Sequence, residues 1–251
     1  MFALFKQTAI STPTFSARMI ATMLALGMSS SQAALTLNGT RVVLDSDKRN
    51  ASLVVTNPGN QTFAVQTWVN TADDDAATAV PFISSPSLFR LNPGKEQQVR
   101  INGLPNDLPT DRESLFYFNV QEIPQATVSE GNVLNIALRT RIKMFYRPSE
   151  IKDKPLARLK DLQWTVTSIQ GEVKLEVYNP TPFHVSFITI AVKDDRDKQV
   201  IENAGMVAPL SRHTFALKGT HPKPGLQVEF SVINDYGGYS APLSLPIQIA
   251  P

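Results

Sequence analysis

The sequence predicts an all-β protein made of two sandwiches. From Leu35 onward, short apolar segments alternate with Gly, Pro, Asn and Asp, and no segment repeats with the period of a helix. A polar, proline-containing stretch after Pro148 divides these segments into two sets. Each set holds about seven predicted strands, the number that an immunoglobulin-like sandwich requires. We expect an N-terminal sandwich over 34–150, a linker over 151–157 and a C-terminal sandwich over 158–251.

The first 33 residues have the pattern of a secretory signal peptide. Lys6 and Arg18 precede an apolar run over 19–28, and small residues follow as far as Ala33. The apolar run is shorter than a bilayer-spanning helix requires. We expect export of the chain and cleavage after Ala33.

Charge and cysteine content narrow the possible classes of protein. The leader contributes two of the 24 basic residues and none of the 22 acidic ones, so the remaining chain is formally neutral. Bulk charge therefore gives no reason to expect binding to nucleic acid or to a membrane surface. Because the chain has no cysteine, packing alone must stabilise both sandwiches.

Turn-forming residues predict where the N-terminal strands reverse. Strand-like residues 51–56 and 62–70 flank the sequence NPGN at 57–60, which predicts a hairpin. The acidic triplet at 73–75 indicates a solvated loop rather than a calcium site, because alternate-position ligands and a distal Glu are missing. The last residues, 239–251, alternate weakly and contain three prolines, which predicts an edge strand or a loose tail.

A long segment with a period of two lies at 132–148. It predicts a strand from Val133 to Arg147 that Pro148 ends. Its odd positions are mostly polar, and five of its even positions are apolar: Leu134, Ile136, Leu138, Ile142 and Met144. Periodicity leaves two interpretations open. The apolar face belongs to the core of the sandwich, or Leu134, Ile136 and Leu138 form an exposed row offered to another chain.

Signatures of catalysis are missing from the sequence. It has no cysteine nucleophile, Gly-x-Ser-x-Gly elbow, phosphate-binding glycine loop or His-Glu-x-x-His pair. The histidines at 184, 213 and 221 lack the spacing of metal ligands. We expect no enzymatic activity, no catalytic residue, no metal and no cofactor. Five charges flanked by apolar residues are equally consistent with strand edges or with a functional site: Arg41, Glu113, Lys143, Arg147 and Asp235.

Four motifs carry a resemblance to a known family. They are DRESLFYFN at 111–119, IKMFYRP at 142–148, YNPTP at 178–182 and INDYGG at 233–238. With these motifs the chain resembles the periplasmic chaperones of the chaperone/usher pilus pathway. The resemblance spans residues 41–238 and implies two sandwiches set in an L with a cleft between them. It also assigns Arg41 and Lys143 to this cleft as anchors for the C-terminal carboxylate of a pilus subunit.

The same resemblance assigns roles to other residues. It pairs Glu113, Arg147 and Asp235 in a salt bridge between the domains. It makes Leu134, Ile136 and Leu138 a donor strand that fills the groove of a subunit lacking its own last strand. The implied partners are pilus subunits and an outer-membrane usher, the implied location is the periplasm, and the free form is expected to self-associate through the donor strand. The short link at 125–131 resembles that of chaperones serving rod-like pili.

The chain departs from the family pattern in two ways. Some members of the family carry a cysteine pair near the C-terminus, which this chain lacks, and the tail after Ser240 matches no motif.

An exported structural or adhesive β-sandwich protein is the main alternative. Two complete strand sets without cysteine count against it, since pilus subunits resemble single, incomplete sandwiches.

Overall fold

The computed structural model describes residues 35–75, 77–124, 136–169, 172–193, 198–201, 204–217 and 222–249. The predicted signal peptide and Leu134 lie outside these residues. Across the described ranges the chain forms seventeen strands and one short 3₁₀ helix, Pro155–Asp161. The all-β prediction with two sandwich domains is therefore confirmed.

The N-terminal sandwich consists of two sheets. One has the order β1-β3-β7-β5 and the other the order β2-β9-β8-β4-β6, the partition expected of an immunoglobulin-like domain. The strands are β1 (Thr36–Leu37), β2 (Arg41–Asp45), β3 (Asn50–Thr56), β4 (Phe63–Asn70), β5 (Phe82–Ser85), β6 (Leu88–Leu91), β7 (Glu96–Gly103), β8 (Ser114–Pro124) and β9 (Arg139–Arg147). Alternate side chains of both sheets fill one core, among them Val65, Val99, Phe118 and Met144.

The C-terminal sandwich differs from the N-terminal one in the order of its strands. Its strands follow the order β13-β12-β16-β17-β10-β11-β15, with β14 beside β12. They are β10 (Gln163–Ile169), β11 (Glu172–Asn179), β12 (Val185–Lys193), β13 (Lys198–Ile201), β14 (Met206–Val207), β15 (Ser211–Leu217), β16 (Gln227–Val232) and β17 (Leu243–Ile249). Buried Trp164 packs against Phe187 and Phe230 in a core without disulfides. β17 pairs antiparallel with β16 and parallel with β10, so the prediction of an edge strand or loose tail is wrong.

The predicted hairpin at 51–70 is also wrong. β3 pairs with β1 and β7, whereas β4 pairs with β6 and β8 in the opposite sheet. Buried Asn57 explains the crossover, because its side-chain amide donates to the carbonyls of Gln61 and Leu91 and its Oδ1 accepts from the Gly59 N–H. The turn thus connects the two sheets at one end of the sandwich.

The period-two segment is divided between two environments. β9 begins at Arg139 rather than at Val133, and described residues 136–138 lie outside any strand. Pairing with β8 ends at the Gln121–Arg139 pair, beyond which the Glu122 N–H still donates to the Leu138 carbonyl over 2.8 Å. Met144 is buried in the core, whereas Ile136 and Leu138 are exposed. The apolar face therefore belongs to the core at Met144 and is exposed at Ile136 and Leu138.

Candidate functional site

The parallel ladder between β2 and β9 organises the charged residues of the site. In its register Arg41 lies opposite Lys143 at one end and Asp45 lies opposite Arg147 at the other. Paired residues on neighbouring strands are about 4.8 Å apart and project to the same side of the sheet. The register therefore brings the two cations Arg41 and Lys143 together.

Arg41 is held by the C-terminal sandwich but is only partly satisfied. Its guanidinium donates through Nη1 to the carbonyl of Ile233 over 3.1 Å and lies 5.7 Å from the ring centroid of Phe145. Its buried Nε has no hydrogen-bond partner among the described atoms. Burial lowers the pKa of Arg41, against the opposing charges of Asp235 and Glu113.

Lys143 has no nearby counter-ion among the residues that the structure describes. Burial, and then the positive charge of Arg41, lower the pKa of the Lys143 ammonium. No carboxylate in the described part of the chain lies within 4.0 Å of this ammonium. Two partly buried cations side by side destabilise each other. The arrangement is suited to an anion, which would relieve the repulsion and supply the missing acceptors.

The other end of the ladder holds a cation with two acids. Arg147 lies 2.7 Å from Oε1 of Glu113 through Nη2 and donates to both carboxylate oxygens of Asp235, at 2.8 and 3.0 Å. Burial disfavours the Arg147 charge, but the hydrogen bonds to Asp235 and the charges of both acids outweigh burial and raise its pKa. The structure thus joins all three residues assigned to the interdomain salt bridge.

Sequence analysis missed one member of this cluster, His184. Its backbone N–H donates to Oε2 of Glu113 over 2.8 Å, and its ring Nδ1 lies 3.2 Å from the same oxygen. The ring also packs on Phe145, with 5.3 Å between centroids. The Glu113 side chain is only 2% exposed, and both of its carboxylate oxygens are bonded, Oε1 to Arg147 and Oε2 to His184. Its position two residues after the Thr181-Pro182 turn was the only local signal, and a lone histidine there suggested no partner.

A tight turn of the C-terminal sandwich completes the cluster. Oδ1 of Asn234 accepts hydrogen bonds from the backbone N–H groups of Tyr236 and Gly238. Gly237 has a φ of 83°, and a Cβ there would lie 2.4 Å from Oγ1 of Thr40. Only glycine fits this approach of the two sandwiches, which places Asp235 against Arg147.

A cavity of about 490 Å³ lies between the sandwiches. Its lining includes Arg41, Arg147, His184 and Asp235, together with apolar residues such as Phe183. Lys143 does not belong to this lining and lies beside it across the ladder from Arg41. Of the two assigned anchor residues, Arg41 therefore lines the cleft and Lys143 lies next to Arg41 on the adjacent strand.

The segment before β9 is exposed and leaves one backbone edge open. Ile136 and Leu138 are 61% and 46% exposed. On the side away from β8, the neighbour of β9 within the described residues is β2, and β2 begins opposite Lys143. Arg139–Ile142 therefore have an unpaired edge next to two exposed apolar side chains.

The described residues contain neither a metal-binding cluster nor a membrane-spanning helix. Among the described residues no group of three or more His, Asp or Glu side chains is placed to hold a metal ion. Within the same residues, no helix has the length and apolar character needed to cross a membrane.

Comparison with known families matches both halves of the chain. Residues 34–152 match the model for the N-terminal domain of PapD, a pili and flagellar-assembly chaperone. Residues 157–243 match the C-terminal domain of the pili assembly chaperone PapD. The chain belongs to the PapD family of pilus-assembly chaperones. The family resemblance that the four motifs predicted is therefore confirmed.

Individual relatives of this chain support the same family assignment. It is 36% identical over 219 residues to the probable fimbrial chaperone YadV of Escherichia coli K12, covering 84% of the chain and 89% of the relative. It is 36% identical over 214 residues to PapD of Escherichia coli, covering 84% and 86%. These relatives are chaperones, a non-enzymatic family, which agrees with the expectation of no enzymatic activity.

Solved structures of related chaperones have a similar fold. The YadV chaperone has a TM-score of 0.72 at 33% identity, covering 85% of this chain and all of that chain. The SafB chaperone of Salmonella enterica, solved in complex with the SafA pilin, has a TM-score of 0.74 at 30% identity, covering 87% and 98%.

Proposed function

We propose that this protein is a periplasmic chaperone that binds, folds and caps pilus subunits and then delivers them to an outer-membrane usher. The observation that carries the proposal is the pair Arg41 and Lys143, two partly buried cations without an acid between them. Family membership supports it, as does the complex of the related SafB with a pilin.

The proposed ligand of the cation pair is the terminal carboxylate of the subunit. The Arg41 guanidinium can bind both carboxylate oxygens, and Lys143 adds a point charge from the adjacent strand. Each charge-assisted hydrogen bond is worth about 1.5–3 kcal/mol. Bound carboxylate would also restore the Lys143 pKa toward that of a free lysine.

The proposed role of Leu134, Ile136 and Leu138 is to complete the fold of the subunit. A strand paired along the open edge of Arg139–Ile142 would continue the β8–β9 sheet into the partner. The alternating apolar side chains would then enter pockets along the subunit groove. Chaperone–pilin pairs are a known case of this mode of strand addition.

Two further parts of the proposal concern the domains. Glu113, Arg147 and Asp235 would hold the two sandwiches at the angle that brings the cleft to the end of the donor segment. The free chaperone would self-associate through the same open edge, because an exposed apolar edge pairs readily with a second copy.

The test of the anchor is recovery of subunits with a tagged chaperone from the periplasm. Arg41→Ala and Lys143→Ala are expected to leave an exported, folded protein that recovers less than about one hundredth of the wild-type amount. Arg212→Ala is the matched control, since it removes an exposed cation paired with Glu176. Wild-type recovery with either anchor variant would contradict the proposal.

The test of the donor segment uses Ile136→Asp. Because this side chain is exposed, the melting temperature of the free protein should stay within about 2 °C of wild type, while subunit recovery falls at least tenfold. Sedimentation should show less self-association. Val200→Asp controls for a new charge on an exposed strand position. A large fall in melting temperature would instead place Ile136 in the core.

A further inference from the structure

A loop folds over the outer face of β9 at the point where the strand begins. This loop follows β4, and its Asp74 faces two arginines of β9. Asp74 Oδ2 accepts from Nη1 of Arg139 over 3.0 Å, and Oδ1 accepts from Nη2 of the same guanidinium. Oδ1 also accepts from the side-chain amide of Asn70 over 2.6 Å. We call Asp74, Arg139, Asn119 and Asn70 the strand clasp.

The clasp holds Arg139 from three sides. Oδ1 of Asn119 accepts from Nε and Nη2 of Arg139, at 3.1 and 2.6 Å, and the guanidinium lies 4.8 Å from the ring centroid of Trp68. Asn119 is fully buried, and its amide nitrogen donates to Oδ1 of Asn70 over 2.9 Å. Arg139 is thus bonded to a buried residue on β8, the middle strand of the sheet.

A neighbouring arginine fastens the same loop. Nη2 of Arg141 donates to the carbonyls of Thr71 and Ala72, at 2.6 and 3.2 Å, and its guanidinium lies 3.8 Å from the ring centroid of Tyr117. Asp74 itself has a φ of 60°, a conformation that Asp tolerates better than most residues. The loop therefore places one carboxylate between two strand arginines.

The position of the clasp along β9 gives it a function. Arg139 is the first residue of β9 and belongs to the outermost pair with β8, and the open edge of the strand begins there. Immediately before it lie the exposed residues Ile136 and Leu138. A strand end that is paired on one edge only frays unless side chains hold it.

We propose that Asp74, acting through Arg139, is a positioning residue that fixes the start of β9 and so sets the direction in which Ile136 and Leu138 are presented to a pilus subunit. The inference rests on the proposed function of this segment as a donor strand. Asp74 does not contact the subunit. It reduces the ordering that the strand must undergo on binding, and such pre-ordering favours affinity.

The clasp also divides the cations of β9 into two groups. Asp74 pairs with Arg139 and lies 3.8 Å from Nε of Arg141, so its single charge offsets part of the positive charge of these two arginines. Lys143, on the same face two residues further, has no such acid among the described residues. Among the described residues, the β9 cation without a nearby acid is therefore the one that lies next to Arg41.

The test measures strand order and subunit recovery in the full-length protein. In hydrogen–deuterium exchange, Asp74→Ala and Arg139→Ala should each speed exchange of the β9 amides that pair with β8 about tenfold, leaving β16 and β17 unchanged. The double variant should show less than the sum of the two single effects, because both substitutions remove the Asp74–Arg139 interaction. Asp73→Ala, in the same loop, is the matched control and should behave as wild type.

Recovery of the pilus subunit that the tagged wild-type chain pulls from the periplasm is the second measurement. Asp74→Ala should lower recovery three- to tenfold with a melting temperature close to wild type. Unchanged β9 exchange in Asp74→Ala, or faster exchange with wild-type recovery, would overturn the inference. If Arg41→Ala still abolishes recovery in that case, the proposed function stands and only the positioning role fails.

Discussion

The two ends of the β2–β9 ladder place arginines in similar burial but in opposite electrostatic settings. Arg147 contacts two carboxylates and has a raised pKa, whereas Arg41 has an unpartnered Nε, a cationic neighbour in Lys143 and a lowered pKa. A charge that stabilises the free protein needs partners within the chain. A charge that the free protein leaves unsatisfied is available to a ligand, so the contrast separates the ion-paired end of the ladder from the end that we propose binds the subunit.

The largest expected difference is in stability. Arg147→Ala leaves Glu113 buried without its cation, and breaking a buried ion pair in this way costs about 3–5 kcal/mol. Arg41→Ala removes a cation that has no ion pair and should change the free energy of unfolding much less. Urea denaturation of both variants measures the difference. Equal losses would erase the distinction between the two ends.

A smaller effect is expected at His184. His184→Phe keeps a ring against Phe145 but removes the side-chain contact with Glu113. The loss of one hydrogen bond to a buried carboxylate should lower the free energy of unfolding by about 1.5–3 kcal/mol. The backbone N–H of residue 184 still donates to Glu113, so subunit recovery should persist. Urea denaturation tests the first expectation and periplasmic co-purification the second.

A still smaller effect, of opposite sign, is expected at Lys143. Lys143→Met replaces an unpaired cation by an apolar chain of similar length, so the free protein should gain up to about 1 kcal/mol of stability while losing its subunits. Calorimetry and co-purification on the same preparation would show this opposition. Loss of stability in Lys143→Met would mean that the ammonium already has a partner in the free protein.

The subtlest expectation concerns pH. The pKa of Lys143 is lowered in the free protein, and a bound carboxylate should raise it again. Binding therefore favours the protonated ammonium, so affinity for subunits should be constant around neutral pH and decline as pH rises through the lowered pKa. Lys143→Arg should remove this alkaline decline, because arginine stays charged. A decline shared by both proteins would assign it to another group.

Sequence patterns predicted where the strands lie better than which strands pair with each other. The period-two alternation and the turn residues at 57–60 were local signals. The first predicted the strand residues 139–147 but not where the strand starts, and the second predicted a turn but not the crossover that it makes. Which sheet a strand joins depends on distant contacts, such as the bonds from Asn57 to Leu91 that make its turn a crossover. For the same reason the start of β9 depended on where β8 ceases to pair.

The site shows the same division. The family resemblance assigned the five charged residues of the site, because nothing local distinguishes a cation with partners from one without them. They are Arg41, Glu113, Lys143, Arg147 and Asp235. Register and folding put Arg41 beside Lys143 and Asp235 against Arg147, across 102 and 88 positions of sequence. His184 and Asp74 carried no motif, and only the structure shows what they contact.

Binding of a terminal carboxylate is most directly tested with two synthetic peptides of the last residues of the captured subunit, one ending in a free acid and one in an amide. Isothermal titration should show that the full-length wild-type chain binds the acid at least tenfold more tightly, and that Arg41→Ala removes this preference. Equal affinity of the wild-type chain for the acid and the amide would contradict the account.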